Sequence, residues 1–90
     1  MDKPLVTIEN WAVIQKNSAL NYDELQPGRR LMGRVIGHRA YSNAEFIYTS
    51  PIQRSNDEGL VETYNTVYRL GKPSEGYKTW LQERKMAAAA

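Results

Sequence analysis

The stretch that decides the fold reads RLMGRVIGH at 30–38, EFIYTSPI at 45–52, LVETY at 60–64 and TVYRLG at 66–71. Apolar and polar residues alternate in these segments, and many of the apolar ones are β-branched or aromatic. Gly, Asn, Asp and Pro residues separate one segment from the next. Such runs are typical of short strands joined by tight turns. The sequence therefore predicts a small antiparallel β-sheet, with turns at Ser42-Asn43 and at 55–59.

The chain before this stretch predicts further strand structure. Residues 4–14, PLVTIENWAVI, favour one long or two short strands. We expect them at an edge of the sheet, where they can also pair across a dimer. Residues 17–28 predict a polar connection that holds one helical turn from Asp23 and ends at Pro27-Gly28.

After Gly71 the spacing of the apolar residues becomes helical. Ser74 can cap a helix, and the residues that follow at positions i, i+3, i+4 and i+7 are Tyr77, Trp80, Leu81 and Arg84. The predicted fold class is therefore mainly β (α+β). We expect five to six antiparallel strands, curled into a small sheet or open barrel, with one C-terminal helix covering an end.

Length and composition bound the organisation of the chain. Ninety residues, 41% of them hydrophobic and 24% charged, predict one small globular domain over 1–86. We expect 87–90, an alanine run, to be a disordered end or a cloning remnant. The absence of cysteine excludes disulfide and thiolate chemistry. No membrane-spanning run or signal pattern occurs in this sequence, which favours the cytoplasm and no membrane contact.

Basic residues are concentrated in the middle of the chain, although the formal net charge is only +2. Between 26 and 55 the single acid is Glu45, and the basic residues are Arg29, Arg30, Arg34, Arg39 and Arg54. Arginine suits carboxylate or phosphate recognition. The alternative is that these residues are solvated outward positions of strands paired with acids of flanking segments, since surface charge is the usual fate of arginine.

Tyrosines accompany these arginines in the predicted hairpins. Tyrosine supplies contact area at low entropic cost and is enriched at interfaces. We expect Phe46 and Tyr68 to fill the core and other rings to join the arginines on a binding face. The candidate binding residues are Arg34, His38, Arg39, Tyr41, Tyr48, Arg54 and Tyr64.

His38 is the single histidine. A catalytic interpretation joins it to Ser50 and Glu45, because a general base needs a nucleophile and an orienting acid within reach. No nucleophile elbow or oxyanion loop accompanies these residues in the sequence. The alternative is a structural histidine at a strand end. We predict no catalytic residue, no metal site and no cofactor.

Short motifs follow one another across most of the chain. They are G-x-V-x-G-H at 33–38, T-S-x-I at 49–52, Thr63, V-Y-x-L-G at 67–71 and Y-x-x-W at 77–80. This order resembles that of a group of small bacterial and prophage-encoded proteins. Members usually have Pro after the Gly-His pair and Asp-Gly at the next hairpin, where this chain has Arg39 and Asn43-Ala44. The resemblance implies a compact, mostly β domain and a phage or prophage setting.

Three functions remain open at this point. The first is a non-enzymatic module that binds a protein partner stoichiometrically, as an inhibitor of a host system does. The second is a small β-barrel that binds nucleic acid through the central arginines and stacking tyrosines. The third is a small hydrolase or nucleotide-binding protein that uses His38. We expect the first, in a monomer or a homodimer.

Overall fold

The computed structural model describes residues 3–15 and 18–89, which form one seven-stranded mixed β-sheet and one helix. The elements are β1 (Leu5–Gln15), β2 (Ser18–Tyr22), β3 (Arg30–Ile36), β4 (Glu45–Tyr48), β5 (Arg54–Ser55), β6 (Leu60–Glu62), β7 (Val67–Leu70) and α1 (Glu75–Ala89). The strands lie in the order β4-β3-β1-β7-β6-β5, and β2 pairs with β1. The sheet is not closed into a barrel. The predicted fold class, a small curled sheet with one C-terminal helix, is confirmed.

The prediction that residues 4–14 form an edge strand is wrong, because β1 lies at the centre of the sheet. β1 pairs antiparallel with β3 on one side and parallel with β7 on the other. Val6 and Ile8 on β1 are buried. The parallel pair makes the sheet mixed, whereas the sequence predicted antiparallel pairing throughout. Because both neighbours of β1 are occupied, this strand offers no edge for a dimer.

A bulge divides β1 into two parts. Its register with β3 shifts between Glu9 and Ala12, and Asn10 takes a positive φ of 53°. After the bulge, the consecutive residues Ala12, Val13 and Ile14 are all buried. Consecutive side chains of a strand point to opposite faces, so this half of β1 is covered on both sides. A bulge re-aims a strand in this way and increases its local twist.

The connection predicted over 17–28 contains strand β2 instead of a helical turn. Ile14 of β1 pairs with Tyr22 of β2, and the chain then bends through 23–29. The Pro27-Gly28 turn is confirmed, with Gly28 at φ 87°. The polar composition of this segment concealed the strand, because β2 is short and pairs only with β1.

The β3–β4 hairpin follows the prediction closely. Leu31, Gly33 and Val35 face the core, and the turn lies at Asn43-Ala44. The Ala44 amide donates to the Val35 carbonyl at 2.8 Å, and Ala44 takes a φ of 67°. Glycine, asparagine and aspartate are the residues that most often take that left-handed conformation in hairpin turns. Alanine adopts the same conformation here.

The C-terminal helix begins where Ser74 caps it, as the sequence predicted. The Tyr77 amide donates to Ser74 Oγ at 3.2 Å. Tyr77 is almost fully buried, and its ring lies 5.4 Å from the rings of both Trp11 and Tyr22. The helical backbone continues to Ala89 and so includes most of the predicted tail, while residue 90 lies outside the described residues.

The buried core combines the inward positions of the sheet with Ile52 and Tyr77. Tyr68 is buried, as predicted, but the prediction that Phe46 fills the core is wrong. The core position of β4 is Ile47, so both of its neighbours in sequence point outward. Alternation along a four-residue strand allowed either assignment, and pairing with β3 decided it.

Candidate binding surface

The two faces of the sheet differ in what covers them. One face carries the core, and residues 49–53 cross it from β4 to β5. Helix α1 packs against Trp11 and Tyr22. The Ile52 amide donates to the Arg29 carbonyl at 2.6 Å, and the Gln53 amide donates to the Glu62 carbonyl at 2.8 Å. The opposite face of β1, β3 and β4 carries exposed side chains, which we call the outer face: Leu5, Arg34, Ile36, Phe46 and Tyr48.

The four apolar members of the outer face are 40–53% exposed. Strand register makes them neighbours, because Phe46 lies directly opposite Arg34, and Ile36 is the next outward residue of β3. The Phe46 and Tyr48 rings meet edge to face at 5.5 Å. Leu5 lies diagonally across from Ile36, since Thr7 of β1 is the partner of Ile36. The result is a continuous apolar surface across three strands.

Arg34 lies within this surface, and its register partner on β1, on the same face, is Glu9. Its guanidinium lies 5.9 Å from the centroid of the Phe46 ring, and Nη1 donates to the Ala44 carbonyl at 2.9 Å. These contacts hold the side chain over the sheet without neutralising its charge. The remaining guanidinium N–H groups can bind an acceptor that approaches the outer face.

Two of the other central arginines have acidic partners. Arg29 forms an ion pair with Asp23, and Arg54 lies 3.2 Å from Glu62. The hydrogen bond from Arg29 lowers the pKa of Asp23, and that from Lys3 lowers the pKa of Glu62. Four inter-strand steps of about 4.8 Å separate the strands of Arg34 and Arg54, or about 19 Å across the sheet. The basic stretch of the sequence is therefore dispersed and partly paired.

A polar cavity of about 200 Å³ lies on the other side of β4. His38 and Tyr41 line it with ring centroids 4.7 Å apart, and the buried Tyr68 ring lies 6.4 Å from His38. The Ala40 amide donates to His38 Nδ1 at 3.0 Å, so the proton of the neutral ring is on Nε2. Burial raises the pKa of Tyr68, which keeps its hydroxyl protonated.

The buried hydroxyl groups of this cavity bind the backbone. Thr49 Oγ donates to the Ser50 carbonyl at 2.8 Å and accepts from the Leu31 amide at 3.1 Å. Thr63 Oγ donates to the Thr66 carbonyl at 3.2 Å. These bonds fix the segment after β4 and the turn before β7, which is a structural role.

The residues of the catalytic interpretation also bind the backbone. Ser50 Oγ accepts from the Tyr64 amide at 3.1 Å, and Glu45 Oε1 accepts from the Ser42 amide at 3.3 Å. Among the hydrogen bonds of the described residues, none joins His38, Ser50 and Glu45 to one another. In the same part of the chain, no three His, Asp or Glu side chains are placed to hold a metal ion.

The structure divides the predicted binding residues among four places. Arg34 and Tyr48 lie on the outer face, and Arg54 lies on β5, at the far edge of the sheet. The loop after β3 carries His38, Arg39 and Tyr41, whose side chains are half-buried to exposed. Tyr64 is exposed in the turn between β6 and β7.

Sequence reasoning missed Leu5, Ile36 and Phe46. The alternation along 30–38 already assigned Ile36 to the face opposite Leu31 and Val35. That pattern does not show that this face is uncovered. The positions of α1 and of residues 49–53 depend on contacts between distant parts of the chain.

Comparisons of the chain with known protein families, with curated proteins and with solved structures gave no match. Within the described residues, no helix is long and apolar enough to cross a membrane.

Proposed function

We propose that this protein is a non-catalytic module that binds a protein partner stoichiometrically through the outer face. The observation that supports this most directly is the exposure of Leu5, Ile36, Phe46 and Tyr48 side by side on an uncovered sheet face. Contiguous apolar surface of this kind is costly in water and marks interaction sites. Aromatic residues and arginine are the types enriched at the centres of such interfaces.

The chemistry of the outer face indicates the chemistry of its partner. The aromatic and aliphatic side chains require an apolar surface on the partner, because only such a surface compensates their desolvation. Arg34 lies among them and favours a carboxylate at the corresponding position. The partner surface is therefore apolar, with an Asp or Glu side chain opposite Arg34.

The setting that we propose is a bacterial cell that carries a phage or prophage, with the protein acting in the cytoplasm. The order of motifs shared with small prophage-encoded proteins supports this setting. A small chain that occupies a surface of a host protein can inhibit that protein without a catalytic step. Inhibition of a host defence system is the role that we propose for such binding.

The dispersal of the arginines favours a protein partner over nucleic acid. A phosphate-binding surface needs several cations within reach of one strand. Here Arg29 and Arg54 have acidic partners, and Arg34 lies far from Arg54 along the sheet. The nucleic-acid alternative is therefore tested in the same experiment as the proposal.

The test is capture from a bacterial host lysate, with and without nuclease, followed by mass spectrometry. The matched variants are Ile36→Ser on the outer face and Tyr64→Ser on the turn before β7, both at exposed apolar positions. We expect one protein to be captured in both arms, to be lost with Ile36→Ser and to be retained with Tyr64→Ser. Loss of capture on nuclease treatment would instead support nucleic acid. Equal capture by both variants would refute the outer face as the binding site.

A further inference from the structure

Strand β4 forms one edge of the sheet, and its outward backbone groups lack a partner strand among the described residues. The Thr49 amide donates to the Leu31 carbonyl at 2.9 Å. In an antiparallel ladder the bonded residues alternate, so Ile47 bonds to β3 as Thr49 does. The N–H and C=O groups of Phe46 and Tyr48 therefore point away from the sheet. Each chain presents two donors and two acceptors along this edge.

β4 has no lysine, proline or bulge, and its single charged residue is Glu45. Proteins place lysine, proline or a bulge on exposed edges to prevent pairing with another chain. The four residues of β4 are Glu, Phe, Ile and Tyr, and its register with β3 is regular over all four. Such a strand is a template for addition of another strand.

We infer that β4 pairs antiparallel with β4 of a second copy of this chain, around a two-fold axis at Ile47. In this register Phe46 of each copy faces Tyr48 of the other, and four hydrogen bonds satisfy all eight outward groups. An axis at Phe46 would place Tyr48 opposite Ala44, and an axis at Tyr48 would place Phe46 opposite Ser50. Ala44 and Ser50 both lie outside the strand. The axis at Ile47 is the one that uses the whole of β4.

The side chains also fit this self-pairing. Phe46 and Tyr48 of both copies come together on the outer face, and aromatic cross-strand pairs stabilise a sheet. The two Glu45 residues lie at opposite ends of the pair, each opposite Thr49 of the other copy. Like charges are therefore kept apart. The dimer also joins two outer faces into one surface, while Leu5 and Ile36 remain available to a partner.

Sedimentation velocity over a range of protein concentrations tests this inference. The wild type should move from the mass of one chain to the mass of two as concentration rises. Tyr48→Pro should keep the mass of one chain, because proline removes an outward N–H and leaves the bonds to β3 intact. Tyr48→Thr keeps that N–H and should still form a dimer. A wild type that stays at one chain's mass, or a folded Tyr48→Pro variant that dimerises normally, would overturn the inference.

Amide hydrogen exchange gives a second test. It uses the wild type alone, so its result does not depend on whether a variant folds. The Ile47 amide should exchange slowly at every concentration, because it bonds to β3. Exchange at Phe46 and Tyr48 should slow at least tenfold as the dimer forms. Fast exchange at both residues at every concentration would refute the pairing. Neither experiment depends on the protein partner, and Ile36→Ser, which tests that partner, leaves β4 unchanged.

Discussion

Gly33 is a residue at which backbone atoms leave no room for a side chain. A Cβ added there would lie 2.9 Å from the Glu9 carbonyl oxygen and 3.0 Å from Trp11 Cα, both of them backbone atoms at the β1 bulge. We expect Gly33→Ala to lower the free energy of unfolding by about 1–3 kcal/mol, as measured by urea denaturation. Gly37 provides the control, since a Cβ there meets open space. Gly37→Asn should cost less than Gly33→Ala, because asparagine tolerates a positive φ better than most residues and meets no neighbouring atoms there.

Asp23 should make folding stability depend on pH. Its carboxylate accepts from Arg29 and from the Glu24 amide, and these bonds lower its pKa in the folded state. The stabilisation is therefore present above the unfolded pKa, near 3.8, and is lost as the pH falls through the lower folded value. Asp23→Asn should be less stable than the wild type at pH 7 and converge with it in acid, as followed by urea midpoints.

Glu24 is the matched control for this pH dependence. It pairs with Arg84 at 2.9 Å, but both side chains are about half exposed. Exposed pairs contribute little to stability, so Glu24→Gln should reproduce the wild-type pH profile. A profile for Asp23→Asn that runs parallel to that of the wild type would show that its carboxylate does not couple folding to pH.

At the residue scale, the sequence pattern predicted the role of a residue correctly where that role depends only on neighbours in sequence. Ser74 was identified as a cap because capping needs only the next turn of the helix. Phe46 was misplaced because the choice between two faces of β4 depends on the neighbouring strand. His38 was assigned to a binding site or a strand end from its position alone. Its hydrogen bond to Ala40 comes from loop geometry that no spacing rule encodes.

At the element scale, α1 depends on Tyr77 more than on Trp80. Tyr77 is 1% exposed and stacks on Trp80 at 5.6 Å, whereas Trp80 is only partly buried. Burial and the nearby Asp23 raise the pKa of Tyr77 to about 12, so its hydroxyl remains a donor to the Asp23 carbonyl at 2.6 Å. The helix is thus bonded to the segment that follows β2.

We expect Tyr77→Ala to lower the free energy of unfolding by about 3–5 kcal/mol, which is the usual loss when a buried aromatic side chain is removed. Tyr77→Phe should cost about 0.5–1.5 kcal/mol, since it removes one hydrogen bond. The loss of unfolding free energy should be much smaller for Trp80→Ala than for Tyr77→Ala. Urea denaturation followed by far-UV circular dichroism measures all three. A larger loss for Trp80→Ala than for Tyr77→Ala would contradict this order.

Among the strands, some positions in the sheet could be predicted from the sequence and others could not. β3, β4, β6 and β7 were predicted because alternation and turn residues mark hairpins between neighbours in sequence. The central position of β1 in the sheet was not predicted, because its parallel partner β7 lies about sixty residues away in the sequence. Parallel pairing leaves no turn signature between the two strands.

At the scale of the whole molecule, the distribution of charge predicts how binding responds to salt. The net charge is +2, and two of the central arginines have acidic partners. A complex made through the outer face uses apolar contact and one arginine. Its affinity should therefore fall by no more than about tenfold between about 0.05 and 0.5 M salt, because roughly one ionic contact contributes.

Titration of the captured partner at several salt concentrations checks this prediction. The slope of log affinity against log salt should be near −1 or smaller in magnitude, and Arg34→Ala should bring it close to zero. Arg54→Ala should leave the slope unchanged, because Arg54 lies at the far edge of the sheet. A slope of several units that both variants reduce would mean that dispersed arginines bind phosphates together. That result would replace the protein-binding proposal with the nucleic-acid alternative.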